Sequence, residues 1–234
     1  MSEVKKVLCA TVYNEKLGYD IVRWAEAIDK QTRKPDAIHV EPDPDNPYRF
    51  WAENVSWARE QCRQRAIRQD FDYLWFSDVD TIPPSHALET LLKTDVDVAC
   101  GRYYHKTDMD KPMFWYYRLV PPEERAAAKE RYGKPVVIED WFYTKEETAE
   151  INKAGTGCML IARKVFQRVP FPEVVRRDCT EDVLYSIMVN AMGYKIFAVP
   201  SVTCEHVGPA RPRLKEERGG LYPIAGEEEV TKKT

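Results

Sequence analysis

The sequence has no long apolar run. None of its stretches approaches the roughly 20 residues that a helix needs to cross a bilayer, so we expect no membrane span. The beginning of the chain, MSEVKKVLCATVYNE, also lacks the apolar core of a secretory signal. Together these absences favour a cytoplasmic protein.

Closely spaced cysteine pairs are missing as well. The six cysteines never occur as CxxC, which argues against a zinc knuckle, and most lie in apolar stretches where a reduced thiol acts as a small core residue.

A formal net charge of -3 gives no general attraction to nucleic acid or anionic membranes, although a local basic patch is compatible with it. What the chain does have is 44% hydrophobic and 12% aromatic residues, which is typical of a folded globule.

Apolar runs and amphipathic stretches alternate through the first hundred residues. The predicted strands are KKVLCATVY, DAIHVE, YLWFSD and DVDVACGRYY, and the segments between them carry apolar residues at helical spacing. This β-α-β-α-β-α-β order predicts an α/β fold with a Rossmann-like, mostly parallel central sheet flanked by helices. Ligands bind beyond the carboxyl ends of such strands, where Tyr13, Glu41 and Asp78 lie.

The second half of the chain is less regular. An aromatic stretch between about 104 and 154 contains PMFWYYRL and EDWFY, and a polar run, PEERAAAKERY, reads as helical. GCMLIARKVF then predicts a strand and a helix, TEDVLYSIMVNAMG predicts a helix, and YKIFAVP and VTCEH predict two short strands. We expect one domain over 1–207, with a donor-nucleotide half at 1–101 and an acceptor half at 102–207, followed by a flexible tail at 208–234.

The segment YLWFSDVDTIPP raises the main functional question, because an apolar strand delivers Asp78 and Asp80 and then stops at two prolines. One interpretation is a haloacid-dehalogenase-like phosphatase, in which Asp78 attacks phosphorus and Asp80 acts as acid and base. That motif usually lies on the first strand of its domain, and here two strands precede it. The other is a nucleotide-sugar transferase, in which an acidic pair holds a divalent ion on a diphosphate. A third interpretation is that the two aspartates only form a turn or cap a helix.

Several motifs, in order, resemble those of GT-A-fold glycosyltransferases of the family 2 type. CATVYNE resembles that family's first strand and its nucleobase turn, CRQRAI its ARNxAI helix, and FSDVDTIPP its DxD segment. GTGCMLIARKVF, TED and VTCEHVG resemble its later strand, its catalytic-base motif and its metal-binding histidine strand. The resemblance covers about 5 to 207 and implies the GT-A, or nucleotide-diphospho-sugar transferase, fold. The second strand departs from the pattern, because it ends VEPD, so either Glu41 or Asp43 stands at the nucleobase position.

The resemblance also implies roles for particular residues. Asp182 would deprotonate the acceptor hydroxyl with Glu181 beside it, and transfer would invert the sugar carbon. Asp80 and His206 would hold Mn2+ or Mg2+, with Asp78 on the ribose or on the metal through water. The predicted nucleotide-sugar-binding residues are Tyr13, Glu41, Arg63, Asp78, Gly157, Arg211 and Arg213. If His206 binds the metal, the position of Arg211 and Arg213 in the chain puts them within reach of the donor diphosphate, where they would close over it; a solvated basic tail is the alternative.

Structural interpretations remain open beside these roles. Thr180 with Glu181 and Asp182 could only cap a helix, Arg63 could be a solvated helix residue, and His206 could be structural. The acceptor is open too: a glycan, a lipid-linked sugar, a protein or a small molecule fits, and modified nucleic acid is less favoured. A non-catalytic module that binds sugar nucleotides or glycans is a further alternative to the enzyme.

Overall fold

The computed structural model describes residues 5–208, apart from 45, 47–48, 107, 120–121, 125, 128–129, 131–136, 142–146 and 176–178. The strands it gives are β1 (Val7–Tyr13), β2 (Ala37–Pro42), β3 (Tyr73–Ser77), β4 (Thr81–Ile82), β5 (Val98–Arg102), β6 (Tyr104–His105), β7 (Asp108–Pro112), β8 (Phe114–Leu119), β9 (Val137–Trp141), β10 (Ala149–Ile151), β11 (Lys153–Ala154), β12 (Cys158–Ala162), β13 (Ile196–Thr203) and β14 (Glu205–His206).

The helices follow the predicted amphipathic segments. Their bounds are α1 (Ile21–Asp29), α2 (Trp51–Arg68), α3 (Ala87–Lys93), α4 (Arg163–Phe166) and α5 (Glu181–Ala191). The first hundred residues therefore alternate as predicted, from β1 through α1, β2, α2, β3 and α3 to β5. Part of the predicted helical run PEERAAAKERY lies outside the described residues, and its first residues form a 3-10 helix over Pro122–Glu124.

A seven-stranded sheet in the order β10-β13-β5-β12-β3-β1-β2 forms the centre of the molecule. The β1–β2, β1–β3 and β13–β5 pairs are parallel. β12 is antiparallel to both β3 and β5, and β10 is antiparallel to β13. Five strands thus point one way and two point back, so the predicted mostly parallel sheet is confirmed. The carboxyl ends of β1, β2 and β3 meet at one edge.

Helices cover both faces of the sheet, which explains why β3 is buried along its whole length. Side chains alternate along each strand between the two faces. Leu74 and Phe76 join a core with α2 and α5, whereas Trp75 joins a second core with α1 and α3. Cysteines fill small spaces in these cores, as predicted: the buried ones are Cys9, Cys62, Cys100, Cys158 and Cys204.

The end of the described chain differs from the prediction of two short strands. β13 is a single strand that runs through Pro200, with an irregular register between Val199 and Thr203 against β5. β14 then leaves the large sheet and pairs antiparallel with β4, so that His206 lies opposite Thr81. This small pairing matters because β4 directly follows the Asp78–Asp80 turn.

Across the residues that the structure describes, no helix combines the length and the apolar character that crossing a bilayer requires.

Candidate active site

Asp78 lies where β3 ends, at the carboxyl edge of the sheet. Its backbone N–H donates to the Gly157 carbonyl at 2.9 Å, and its own carbonyl accepts from the Thr81 N–H at 2.8 Å. The second bond closes a tight turn that contains Asp80. These backbone hydrogen bonds fix the turn that carries the two carboxylates.

Arg59 is the principal partner of Asp78. Its Nη2 donates to both carboxylate oxygens of Asp78, at 3.0 and 2.9 Å, and its Nε lies 3.6 Å from Glu181 Oε1. Burial opposes the charge of Arg59, but the carboxylates of Asp78 and Glu181 outweigh it and raise the pKa of Arg59 above its already high ordinary value. The guanidinium also lies over the Phe76 ring, 5.1 Å from its centroid. One buried cation thus joins the strand-end acid to the start of α5.

Sequence reasoning missed Arg59, although the pattern carried a signal. α2 buries Val55, Ala58, Cys62 and Ala66, and Arg59 lies within that apolar stripe with only 4% of its side chain exposed. A charged residue on a buried helix face requires an opposite charge. The stripe itself therefore indicates a buried acid opposite α2.

Asp80 faces two potential cations. Lys106 Nζ lies 2.8 Å from Asp80 Oδ2, and His206 Nε2 lies 3.7 Å from the same oxygen. Burial opposes ionisation of Asp80, but His206 and Lys106 together outweigh it and hold the pKa of Asp80 well below its usual range. Asp80 is therefore a permanent anion at the pH of the cell.

The His206 ring is oriented by its other nitrogen. Nδ1 lies 2.6 Å from the Tyr104 carbonyl, and since a carbonyl only accepts, Nδ1 donates. In the neutral ring Nε2 then presents its lone pair toward Asp80. A carboxylate oxygen and an imidazole nitrogen that face each other at 3.7 Å are a fitting pair of ligands for a divalent ion. The residues present thus fit the Mn2+ or Mg2+ that the sequence predicts.

Glu181 and Asp182 begin α5, next to Arg59. Asp182 accepts hydrogen bonds from the Thr180 hydroxyl and from the Val183 N–H. Burial and the Asp182 carboxylate raise the pKa of Glu181 to about 8, and Arg59 offsets only part of that effect. Burial raises the pKa of Asp182 as well, against those two hydrogen bonds. Because Asp182 receives the bonds that favour a carboxylate, the negative charge of this pair rests mainly on Asp182.

A cleft of about 170 Å³ opens at this edge of the sheet. Its floor and walls include Arg59, Asp78, Asp80 and Glu181, and the remaining lining residues are Val12, Asn14, Leu17, Tyr19, Asp43, Trp51, Val55 and Val79. Arg59 Nη1 and Glu181 Oε2 are buried and make no hydrogen bond within the described part of the chain. Unsatisfied buried polar atoms at a cleft are suited to contact a bound ligand.

Asp43, and not Glu41, is the second-strand acid that reaches the cleft. Asp43 accepts from the Asn14 side chain at 3.2 Å, and its N–H donates to the Tyr13 carbonyl at 2.9 Å. The predicted residue Tyr13 therefore contributes its backbone here, while its side chain is partly buried against the core.

Glu41 faces α2 and pairs with His39, at 2.7 Å between Oε2 and Nε2. Cys62 brings a third potential metal ligand within 4.8 Å of these atoms. Burial and the Glu41 carboxylate raise the pKa of Cys62 to about 12, so its thiol stays protonated at neutral pH and is a poor metal ligand. β2 ends at Pro42, so Asp43 lies beyond the strand and its side chain does not follow the strand direction of Glu41.

Arg63 also lies away from the cleft lining. Its guanidinium is bound between Glu60, at 2.6 and 2.7 Å, and the Phe166 carbonyl, at 2.5 Å. In the structure, Arg63 is thus bound by buried partners between α2 and α4. The sequence had instead predicted that Arg63 contacts the nucleotide. Arg59, one helical turn earlier, is the α2 arginine at the cleft.

Gly157 packs closely against Tyr103 and Thr81, next to Asp78. A Cβ at this position would come within 2.7 Å of the Tyr103 ring and 2.8 Å of the Thr81 hydroxyl, so only glycine fits without displacement. Its N–H donates to the Tyr103 hydroxyl at 3.0 Å. The predicted donor-binding residues Arg211 and Arg213 lie outside the described residues.

Comparisons with known proteins agree with this architecture. No protein-family model and no curated protein matches the sequence. Among solved structures, A197 from STIV has a TM-score of 0.56 and 16% identity, covering 87% of this chain and 86% of A197. GalNAc-T7, solved with UDP, GalNAc and Mn2+, has a TM-score of 0.55 and 12% identity, covering 90% of this chain and 45% of the GalNAc-T7 chain. At these identities the likeness concerns the fold, and it confirms the predicted GT-A fold.

Proposed function

We propose that the protein is a metal-dependent glycosyltransferase that moves a sugar from a nucleoside-diphosphate sugar to an acceptor hydroxyl, with inversion at the sugar carbon. The observation that carries this proposal is that Asp78, Asp80 and Glu181 line one cleft, with His206 beside Asp80 and Asp182 next to Glu181 in the chain. These residues come from distant parts of the chain. The solved structure of GalNAc-T7 with UDP, GalNAc and Mn2+ supports the same substrate class on this fold.

Asp80 and His206 would hold Mn2+ or Mg2+. When bound, the ion would offset the charge that develops on the diphosphate as the glycosidic bond breaks. Asp78, fixed by Arg59, is suited to accept a hydroxyl of the donor, such as one on the ribose. Asn14 and Asp43 are suited to the nucleobase, because the pair offers a carboxylate oxygen and an amide at the end of β1.

Asp182 is the proposed base. Its carboxylate would take the proton of the acceptor hydroxyl while that oxygen attacks the sugar carbon on the face opposite the diphosphate. The Thr180 and Val183 hydrogen bonds favour the ionised form of Asp182, which is partly buried. Glu181, whose pKa lies near 8, would keep its proton in a large fraction of molecules at neutral pH. Glu181 itself is buried, which limits the access of water to this part of the site.

A panel of nucleoside-diphosphate sugars with Mn2+ tests the proposal. We expect one donor to raise the melting temperature and to be hydrolysed slowly in a metal-dependent manner, with Asp80→Ala inactive beside it. If a folded protein neither binds nor hydrolyses any member of the panel, the proposal fails. Binding without turnover, even with acceptors supplied, would instead identify the non-catalytic module.

The phosphatase alternative has a separate test. An aspartyl phosphatase would be trapped by beryllium fluoride on Asp78. We expect no such adduct, because the salt bridge with Arg59 engages both oxygens of Asp78 and reduces their nucleophilicity toward phosphorus. A beryllium fluoride adduct on Asp78 would reverse the assignment.

A further inference from the structure

Lys106 occupies a position that neither the fold nor the proposed chemistry explains. Its ammonium is 2.8 Å from Asp80 Oδ2, and only 12% of the Lys106 side chain and 15% of the Asp80 side chain are exposed. The ammonium also lies over the Tyr19 ring, 4.6 Å from its centroid, and 3.5 Å from the Tyr19 hydroxyl. Three contacts therefore hold this flexible side chain at one point beside the cleft.

The oxygen that binds Lys106 is the one that faces His206. Oδ2 of Asp80 is 2.8 Å from Lys106 Nζ and 3.7 Å from His206 Nε2. A divalent ion held by Asp80 and His206 would need this same oxygen. An ammonium and a divalent ion that share one partly buried oxygen repel each other strongly, because little water screens them. The two cations therefore compete for Asp80.

We propose that Lys106 is a built-in counter-ion that competes with the divalent ion for Asp80 and, once displaced, pairs with the donor diphosphate. This inference rests on the proposed function. It makes metal binding weak in the absence of donor and stronger in its presence, because the diphosphate offers Lys106 a new anionic partner. Lysine suits this role, since its point charge on a flexible stem can move between two anions.

The opposite signs of two effects distinguish this role from a structural ion pair. Removing the ammonium should tighten metal binding, since the competitor is gone. It should weaken diphosphate binding, since a cation beside the cleft is lost. A merely structural lysine would change both affinities in the same direction, through disorder of the site, or would change neither.

Mn2+ binding, measured by the electron paramagnetic resonance of the free ion without nucleotide, tests the first effect. We expect Lys106→Met to bind Mn2+ about tenfold more tightly than the wild type. Lys106→Arg keeps the charge and should remain close to the wild type. Lys93→Met, which removes an exposed lysine paired with Glu89, is the matched control and should change nothing. Equal or weaker Mn2+ binding by a folded Lys106→Met would overturn the inference.

Inorganic pyrophosphate, used as a mimic of the diphosphate at saturating Mn2+, tests the second effect by calorimetry. We expect Lys106→Met to bind pyrophosphate several-fold more weakly, and undiminished binding would overturn the second half of the inference. If Lys106→Met fails to fold, Lys106→Gln repeats both measurements with a polar side chain.

Asp80→Asn separates the inference from the proposed function. Loss of Mn2+ binding in Asp80→Asn together with unchanged binding in Lys106→Met refutes only the role of Lys106. Full Mn2+ binding by Asp80→Asn refutes the metal site itself, and with it the proposed function.

Discussion

Two acidic pairs lie at or next to the cleft, which Asp78, Asp80 and Glu181 line, and they differ in how their charges are balanced. At the end of β3, Asp78 has Arg59, and Asp80 has Lys106 and His206. At the start of α5, Glu181 and Asp182 share the field of the single cation Arg59. The first pair has a cation for each carboxylate, whereas the second has too few. The cations of the first pair therefore hold Asp80 as an anion, whereas burial leaves the second pair holding a proton.

This difference matches two kinds of chemistry. A permanent anion is suited to bind a metal ion or to fix a hydroxyl, because its charge does not change with pH near neutrality. A buried pair that shares a proton is suited to accept and release one. The local count of cations, more than the identity of the acids, separates a binding function from a proton-transfer function.

The largest expected effect comes from removing the permanent anion Asp80. Asp80→Ala should abolish Mn2+-dependent hydrolysis or transfer while the protein stays folded, because His206 alone is a weak ligand. Turnover at limiting metal is the measurement, and Asp29→Ala, which changes an exposed aspartate, is the control. Near-normal turnover in Asp80→Ala would mean that the first pair does not hold the metal.

Asp182 should show the next largest effect. Asp182→Asn should lower transfer by on the order of a hundredfold or more, since the base is lost, while donor affinity remains. Transfer rates and donor binding are both measured, with Glu181→Gln alongside as the milder variant. If donor affinity falls as far as the rate does, Asp182 is a structural cap and the contrast between the pairs disappears.

Arg59 connects the two pairs, so its removal should affect stability. Arg59→Met leaves Asp78 and Glu181 without their shared cation, and breaking a buried pair costs about 3–5 kcal/mol. For a chain of this size we expect the melting temperature to fall by on the order of ten degrees. Arg68→Met, on an exposed position of the same helix, should have little effect. A fall of only about one or two degrees in the melting temperature of Arg59→Met, which is comparable to the scatter of such measurements, would show that the two acidic pairs are not coupled through this residue.

The smallest effect is a pH dependence that involves Glu181. Its pKa in the folded protein, about 8, is above its ordinary value of 4.5. The proton is therefore bound more tightly in the folded state, so this group's contribution to stability is complete below pH 4.5 and is lost as the pH rises through 8. Glu181→Gln cannot ionise. The melting temperature of this variant, relative to that of the wild type, should therefore rise by about a few degrees between pH 5 and pH 8.

The matched control for this pH series is Glu150→Gln, since Glu150 is exposed and paired with Lys195. Its melting temperature should follow that of the wild type across the series. A difference between Glu181→Gln and the wild type that does not change with pH would mean that Glu181 is ionised throughout, like Asp80.

Local patterns explain why much of the fold could be predicted. Apolar alternation and helical spacing depend on neighbours within a few residues, and they predicted β1 to β3, α2 and the start of α5 closely. The same patterns located Asp78, Asp80 and Asp182, because each follows or begins a regular element. The single strand β13 was not predicted as one, since Pro200 usually interrupts a strand and here coincides with an irregular register.

The site itself depended on contacts between distant residues. Short segments were enough to define the α/β order, the strand-end acids and the acidic helix start, because each follows from local properties of the chain. The packing of distant elements was needed to place Arg59 against Asp78, to bring Lys106 to Asp80 across 26 positions, and to bring His206, through β14, to the same carboxylate. It also brought Asp43 to the cleft and turned Arg63 toward Glu60. A charged side chain is compatible with many surroundings until burial removes water, and which opposite charge then lies within reach is set by the packing of whole elements.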